Sequence, residues 1–111
     1  MEHICSFKQQ ELVKLGLDAN DALILHWFIC THHELTTFRY QESDYKHIEY
    51  QTIINQLPVL RINNRRNIAR RFDKLVKGNV LDKHIFREQN GIGGTYVCFK
   101  FSNKNTLNLE V

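Results

Sequence analysis

The side chains with chemistry to offer are concentrated in one stretch. From Ile62 to Val80 the chain reads Ile-Asn-Asn-Arg-Arg-Asn-Ile-Ala-Arg-Arg-Phe-Asp-Lys-Leu-Val-Lys-Gly-Asn-Val. Guanidinium and ammonium groups bind phosphate oxygens, and an asparagine amide can meet the edge of an adenine at two points. Between Arg61 and Lys77 seven basic residues stand against one acid, Asp73, so the segment carries +6 on a chain whose formal net charge is +3. The remainder therefore carries −3. A concentrated positive face on a mildly acidic body is the footprint of a polyanion partner. The competing reading is a solvated basic face whose long stems cover apolar surface.

No other group of residues assembles a reaction centre. His32 and His33 lie near Cys30 and Glu34, but zinc sites show paired ligands at tight spacing, and Cys5 and Cys98 are isolated. Histidines at a helix end are explained by the dipole, which favours a cation there. His26 lies inside an apolar run and reads as a core histidine. Gly91-Ile-Gly-Gly94 falls between two strand patterns, so it is not the strand-to-helix fingerprint of a dinucleotide site. Paired carboxylates, a nucleophile elbow and a phosphate loop are also missing. No enzyme, cofactor or metal site is expected.

A helix must position the basic residues. Ile68, Phe72 and Leu75 recur at i, i+4 and i+7, with Ala69 and Val76 beside them, and predict its buried stripe. Asn63, Arg66, Asn67, Arg70, Lys74 and Lys77 fall on the opposite side of the same wheel. Asn63 suits the N-cap, and Gly78 the left-handed position past the end. Arg65 and Arg66 then lie in the first turn, where the dipole disfavours each cation by about 0.3–1 kcal/mol. A phosphate near that helix start would reverse the sign.

The rest of the chain supplies the frame. Its 111 residues, 42% of them hydrophobic, suffice for one domain with a core of its own. Three widely spaced cysteines and no targeting segment fit reduced thiols in a cytoplasmic protein. The apolar run Ala22–Cys30, broken by His26, is too short to cross a bilayer. Ser6 and Gln9 have capping-box spacing and predict a short helix to about Leu15, closed by Gly16. Asp18, with Asp21 three residues on, starts a helix from Ala19 to about His33. It is apolar on nearly all sides, and so is central to the domain or lies in a dimer interface. Glu34 to Lys46 reads as a loop, with Phe38–Tyr40 or Lys46–Glu49 as the place for a short strand. Tyr50 to Leu57 predicts a second short helix, ended by Pro58. Two helices joined by so short a turn make a helix-turn-helix. Val80–Arg87 and Thr95–Phe101 flank a glycine-rich turn and predict a β-hairpin. Residues 102–111 read as a polar tail. Most aromatics fall at positions that read as core, which disfavours stacking of unpaired bases.

Helix, helix, helix-turn-helix, hairpin: this order resembles a winged-helix domain, the resemblance covering roughly residues 6–101 of a domain taken as 1–101. That fold is α+β, with a three- to four-helix core and a C-terminal β-hairpin wing. Tyr45 to Leu81 carries the match, with Leu57-Pro58-Val59 leading into the basic helix and Lys77-Gly78-Asn79-Val80-Leu81 leading into the wing. The stretch resembles the amino-terminal domain of phage and plasmid replication-initiation proteins, the replisome organisers, with a similar module in the DnaD group of primosome proteins. Gly16 to Leu23 is similar to the start of that family's long first-half helix. Those proteins usually carry a second domain after the wing, and this chain stops there.

The resemblance implies double-stranded DNA as partner, with the second helix of the motif in the major groove and the hairpin on backbone or minor groove. On that geometry Asn63, Asn64 and Asn67 read base edges. Arg66 and Arg70 fork onto guanine or hold phosphate, Lys74 and Lys77 hold phosphate, and Arg65 and Arg71 complete the binding set. Lys83, His84, Arg87 and Lys100 flank the wing tip, where Gly91, Gly93 and Gly94 allow close backbone approach. A homodimer or replisome proteins are further partners to expect, and a membrane is not. The alternatives are a protein-interaction winged helix of a primosome component and a transcriptional regulator. A pure interaction module has no need of so much positive charge on one helix.

Overall fold

The apolar stripes of four helices meet on one face of an antiparallel sheet. The computed structural model describes residues 3–87 and 94–102. Their order is β1 (His3–Ile4), β2 (Phe7–Lys8), α1 (Gln9–Lys14), α2 (Ala19–Thr31), β3 (Thr37–Tyr40), β4 (Ser43–His47), α3 (Tyr50–Gln56), α4 (Arg65–Lys77), β5 (Leu81–Arg87) and β6 (Thr95–Phe101). The architecture is α+β. β1 and β2 pair only with each other, and the other four strands form a sheet in the order β3-β4-β6-β5, antiparallel throughout.

The core follows from the periodicities. α2 buries Ala22, Ile24, Leu25, Trp27 and Phe28, as an all-round apolar helix must. α4 buries Ile68, Phe72 and Leu75, and α3 buries Ile53. Alternation along β6 turns Phe99 and Phe101 to the helices: Phe99 meets Phe72 at 4.7 Å between ring centres, and Phe101 meets Phe28 at 4.9 Å. Each large side chain fully buried this way contributes about 1.5–3 kcal/mol, so packing rather than propensity places α4. The indole N–H of Trp27 donates to Gln56 Oε1 at 2.6 Å and ties α2 to the end of α3.

Local signals were met unevenly. Asp18 and Asp21 form a full capping box at the start of α2. Gly16, at φ 73°, closes α1 in a left-handed turn, with the Leu17 N–H on the Leu12 carbonyl at 2.9 Å. Ser6 does not cap α1. It sits with Cys5 in the turn of the β1–β2 hairpin, both at positive φ, and Lys8 takes the N-cap position without a side-chain bond. α2 ends at Thr31, short of His33. The Thr31 hydroxyl donates back to the Trp27 carbonyl at 2.8 Å, and His32–Glu34 tightens into a 3₁₀ turn.

The largest departure is residues 34–46, expected as a loop with a short strand at Phe38–Tyr40 or Lys46–Glu49; the Phe38–Tyr40 strand is present within β3. Most of the stretch is a β-hairpin, β3–β4, turned by Gln41 and Glu42 at φ 49° and 63°. The hairpin changes where the aromatics go. By register, Phe38, Tyr40, Tyr45 and His47 share the sheet face away from the helices with His84, Phe86 and Tyr96. Phe38 stacks on Phe86 at 5.1 Å and Tyr40 on His84 at 3.9 Å. These rings close over Cys98, whose burial pushes its thiol up to about 11. The helix-side core therefore does not take all the aromatics; a second apolar layer stiffens the sheet from behind. Ser102 is buried and donates its N–H to the Val80 carbonyl at 3.0 Å, so it belongs to the sheet end; the rest of the expected tail lies outside the described residues.

Candidate nucleic-acid interface

Three sets of contacts fix α4. At its start, Asn64 rather than Asn63 is the cap: its Oδ1 accepts from the Arg66 N–H at 2.7 Å. Arg61 turns left-handed (φ 56°) and Asn64 is extended, so the helix begins at Arg65, one residue later than an Asn63 cap would start it. At its end, Asn79 rather than Gly78 takes the left-handed position, with φ 61° against −81°. The N–H of Val80 reaches the Leu75 carbonyl at 2.9 Å and that of Asn79 the Val76 carbonyl at 3.0 Å. An asparagine tolerates this conformation better than most side chains, which lets it stand in for the glycine.

Along its side, α4 is clamped by the acids that cap α2. Asp21, wholly buried, accepts from Arg71 Nη1 at 2.9 Å and from Lys74 Nζ at 2.5 Å. Asp18 accepts from the same guanidinium nitrogen at 2.9 and 3.0 Å. Burial works to raise the pKa of Asp18. The Asp21 N–H, the Arg71 hydrogen bond and the charges of Arg71 and Lys74 outweigh it and hold the carboxyl below its ordinary range. Burial likewise opposes the Arg71 charge, and the bonds to Asp18 and Asp21 hold its pKa above the ordinary value.

The basic row therefore splits. Lys74, which the helical wheel placed on the open face, and Arg71, expected among the binding residues and only 14% exposed in its side chain, are engaged internally and are not open cations. Lys83 donates to Asp73 at 3.1 Å, which pins β5 to α4 and neutralises the one acid on that helix. Lys100 is paired with Asp82 at 3.1 Å and lies 5.9 Å from the centre of the Tyr45 ring. Both wing lysines expected at the interface are thus held by carboxylates.

Arg61, Arg65, Arg66, Arg70 and Lys77 remain, all exposed and without an ion pair among the described residues. Arg66, Arg70 and Lys77 line the outer side of α4 at i, i+4 and i+11. Asn64, Arg66, Asn67 and Arg70 rim a shallow depression there. Asn67 is half-buried, and its Oδ1 has no hydrogen-bond partner among the described residues. Asn63 is exposed just before the cap. In the β5–β6 hairpin Arg87 is exposed, as is Gly94, while Gly91 and Gly93 lie outside the described residues.

Among the described residues no helix is long and apolar enough to cross a membrane. Compared with known proteins, the chain matches no family model, no curated protein and no solved structure.

Proposed function

We propose that the chain is a winged-helix domain that binds double-stranded DNA, with α4 in the major groove and the β5–β6 hairpin as a wing against the backbone. The observation that carries this reading is the open row on α4. Its clamped edge is neutralised by Asp18 and Asp21, while Arg61, Arg65, Arg66, Arg70 and Lys77 keep uncompensated charge. Two of those cations sit at the helix N-terminus, where they cost free energy unless an anion joins them. Arg66 and Arg70 hold phosphate or fork onto guanine, and Asn67, whose Oδ1 is buried, is left with its amide N–H groups to meet a base edge. Asn64 is occupied as the cap and positions the first turn.

The wing reading is supported by the Lys83–Asp73 pair, which sets the hairpin's angle to α4, and by exposed Ile85 and Arg87 further along β5. Service in a phage or plasmid replication-initiation protein rests on the resemblance of Tyr45–Leu81 and Gly16–Leu23 alone. The role requires no reaction, so no enzymatic activity is proposed.

The test is charge reversal at Arg66 and Arg70 together, read by fluorescence anisotropy on a labelled duplex. Affinity should fall by about a hundredfold or more at moderate salt, with the melting temperature within about 2 °C of the parent because both side chains are exposed. Affinity unchanged in a folded double variant would sink the reading.

A further inference from the structure

We propose that the chain carries a second site, separate from α4, that binds a small organic anion with a flat apolar body in the hollow where the end of α2 meets β4 and β6. The hollow has a volume of about 500 Å³, and Phe28, His32, Ser43, Lys46 and Phe101 are among the residues lining it. That volume is within the range of small-ligand sites, roughly 300–1,000 Å³. Its apolar wall is Phe101, backed by the wholly buried Phe28, and the His32 ring stands edge-on to Phe101 at 5.1 Å between centres. A flat ring placed there meets the Phe101 and His32 rings.

The charge of the hollow is unbalanced. Asp44 lines it, but Arg39 holds that carboxylate at 2.9 Å. Lys100 also lines it, and Asp82 holds that ammonium. Lys46 meets only a neutral hydroxyl, Thr37 Oγ1, at 2.7 Å, and has no carboxylate partner among the described residues. The Lys46 field is felt across the hollow: burial first, then Lys46, then His33 lower the pKa of His32. The imidazole facing the site is therefore neutral near pH 7 and open to either hydrogen-bonding role. An anion beside Lys46 would be held by a charge-assisted bond while its apolar body covers Phe101 and the His32 ring.

The experiment uses the full chain and no DNA, so its outcome is independent of the duplex reading. Benzoate is titrated against the histidine and aromatic side-chain NMR signals. Benzyl alcohol, which has the ring without the charge, and inorganic phosphate, which has the charge without the ring, serve as half-probes. Benzoate should shift His32 and Phe101 saturably and move the His32 titration to higher pH. Each half-probe should bind at least about tenfold more weakly, as should benzoate to a folded Lys46→Met variant. No saturable benzoate shift overturns the proposal, as does benzyl alcohol or phosphate binding as well as benzoate, or an undiminished affinity in Lys46→Met.

Discussion

At Asp21 a wholly buried carboxylate meets the Asp18 N–H, the Arg71 guanidinium and the Lys74 ammonium. Removing it leaves the largely buried Arg71 with Asp18 alone, while Lys74, whose side chain is 36% exposed, can turn to water. Asp21→Ala should therefore cost about 1–3 kcal/mol in urea unfolding. Asp18 adds a pH dependence. Its folded pKa lies below the ordinary carboxylate value, so its contribution is complete above that value and is lost as pH falls through the folded one. Stability should drop below about pH 4, and the Asp18→Asn variant should show a flatter fall over that window. An identical acid limb in the variant would remove Asp18 from the account. The basic character of Arg66, Arg70 and Lys77 could be read directly from the chain. The fate of Arg71 could not, because a period places a residue on one helix and says nothing of which acid a second helix brings. Its position at the border between the apolar stripe and the basic row was the only hint.

Helices were largely visible at the scale of elements, since apolar residues at helical spacing on α1, α3 and α4, and the aspartate box with its long apolar run on α2, announce them. Their ends were less so. Tandem asparagines offer two caps, and the left-handed turn at Arg61 selects the second. Asn64→Ala should cost about 0.5–2 kcal/mol, while Asn63→Ala should be near neutral in the same melt. Gly78→Ala should be tolerated or slightly stabilising. Its φ is negative, and an added Cβ would meet the Lys74 carbonyl and Leu15 only at ordinary contact, 3.5 and 3.6 Å. Strong destabilisation there would return the left-handed role to the glycine. A strand at Phe38–Tyr40 was legible, but its pairing into the β3–β4 hairpin was hidden for a physical reason. A turn with two positive φ values is usually signalled by Asn-Gly or Asp-Gly, and Gln41-Glu42 carries neither. With that hairpin went the second aromatic layer, because Phe38, Tyr40 and Tyr45 need β3 and β4 as strands before they share a face with Phe86 and Tyr96.

For the whole molecule, the sheet and α2 together decide how much of the charge on α4 can act outside the fold. Asp18 and Asp21 absorb Arg71 and Lys74, which leaves five open cations of the segment's seven, and Lys83 from outside the segment covers its one acid, Asp73. From composition alone, five or six neutralised phosphates would give a salt slope near −5. With the clamped cations set aside the slope should lie between about −4 and −5, and it should respond only to the open row. The most direct measurement is duplex affinity against salt concentration for the parent chain, Arg70→Ala and Arg71→Ala, each checked for folding. The account predicts a slope flatter by about one unit for Arg70→Ala, and an unchanged slope for a less stable Arg71→Ala. No duplex binding by the parent at low salt, or an equal loss of slope in both variants, would contradict it.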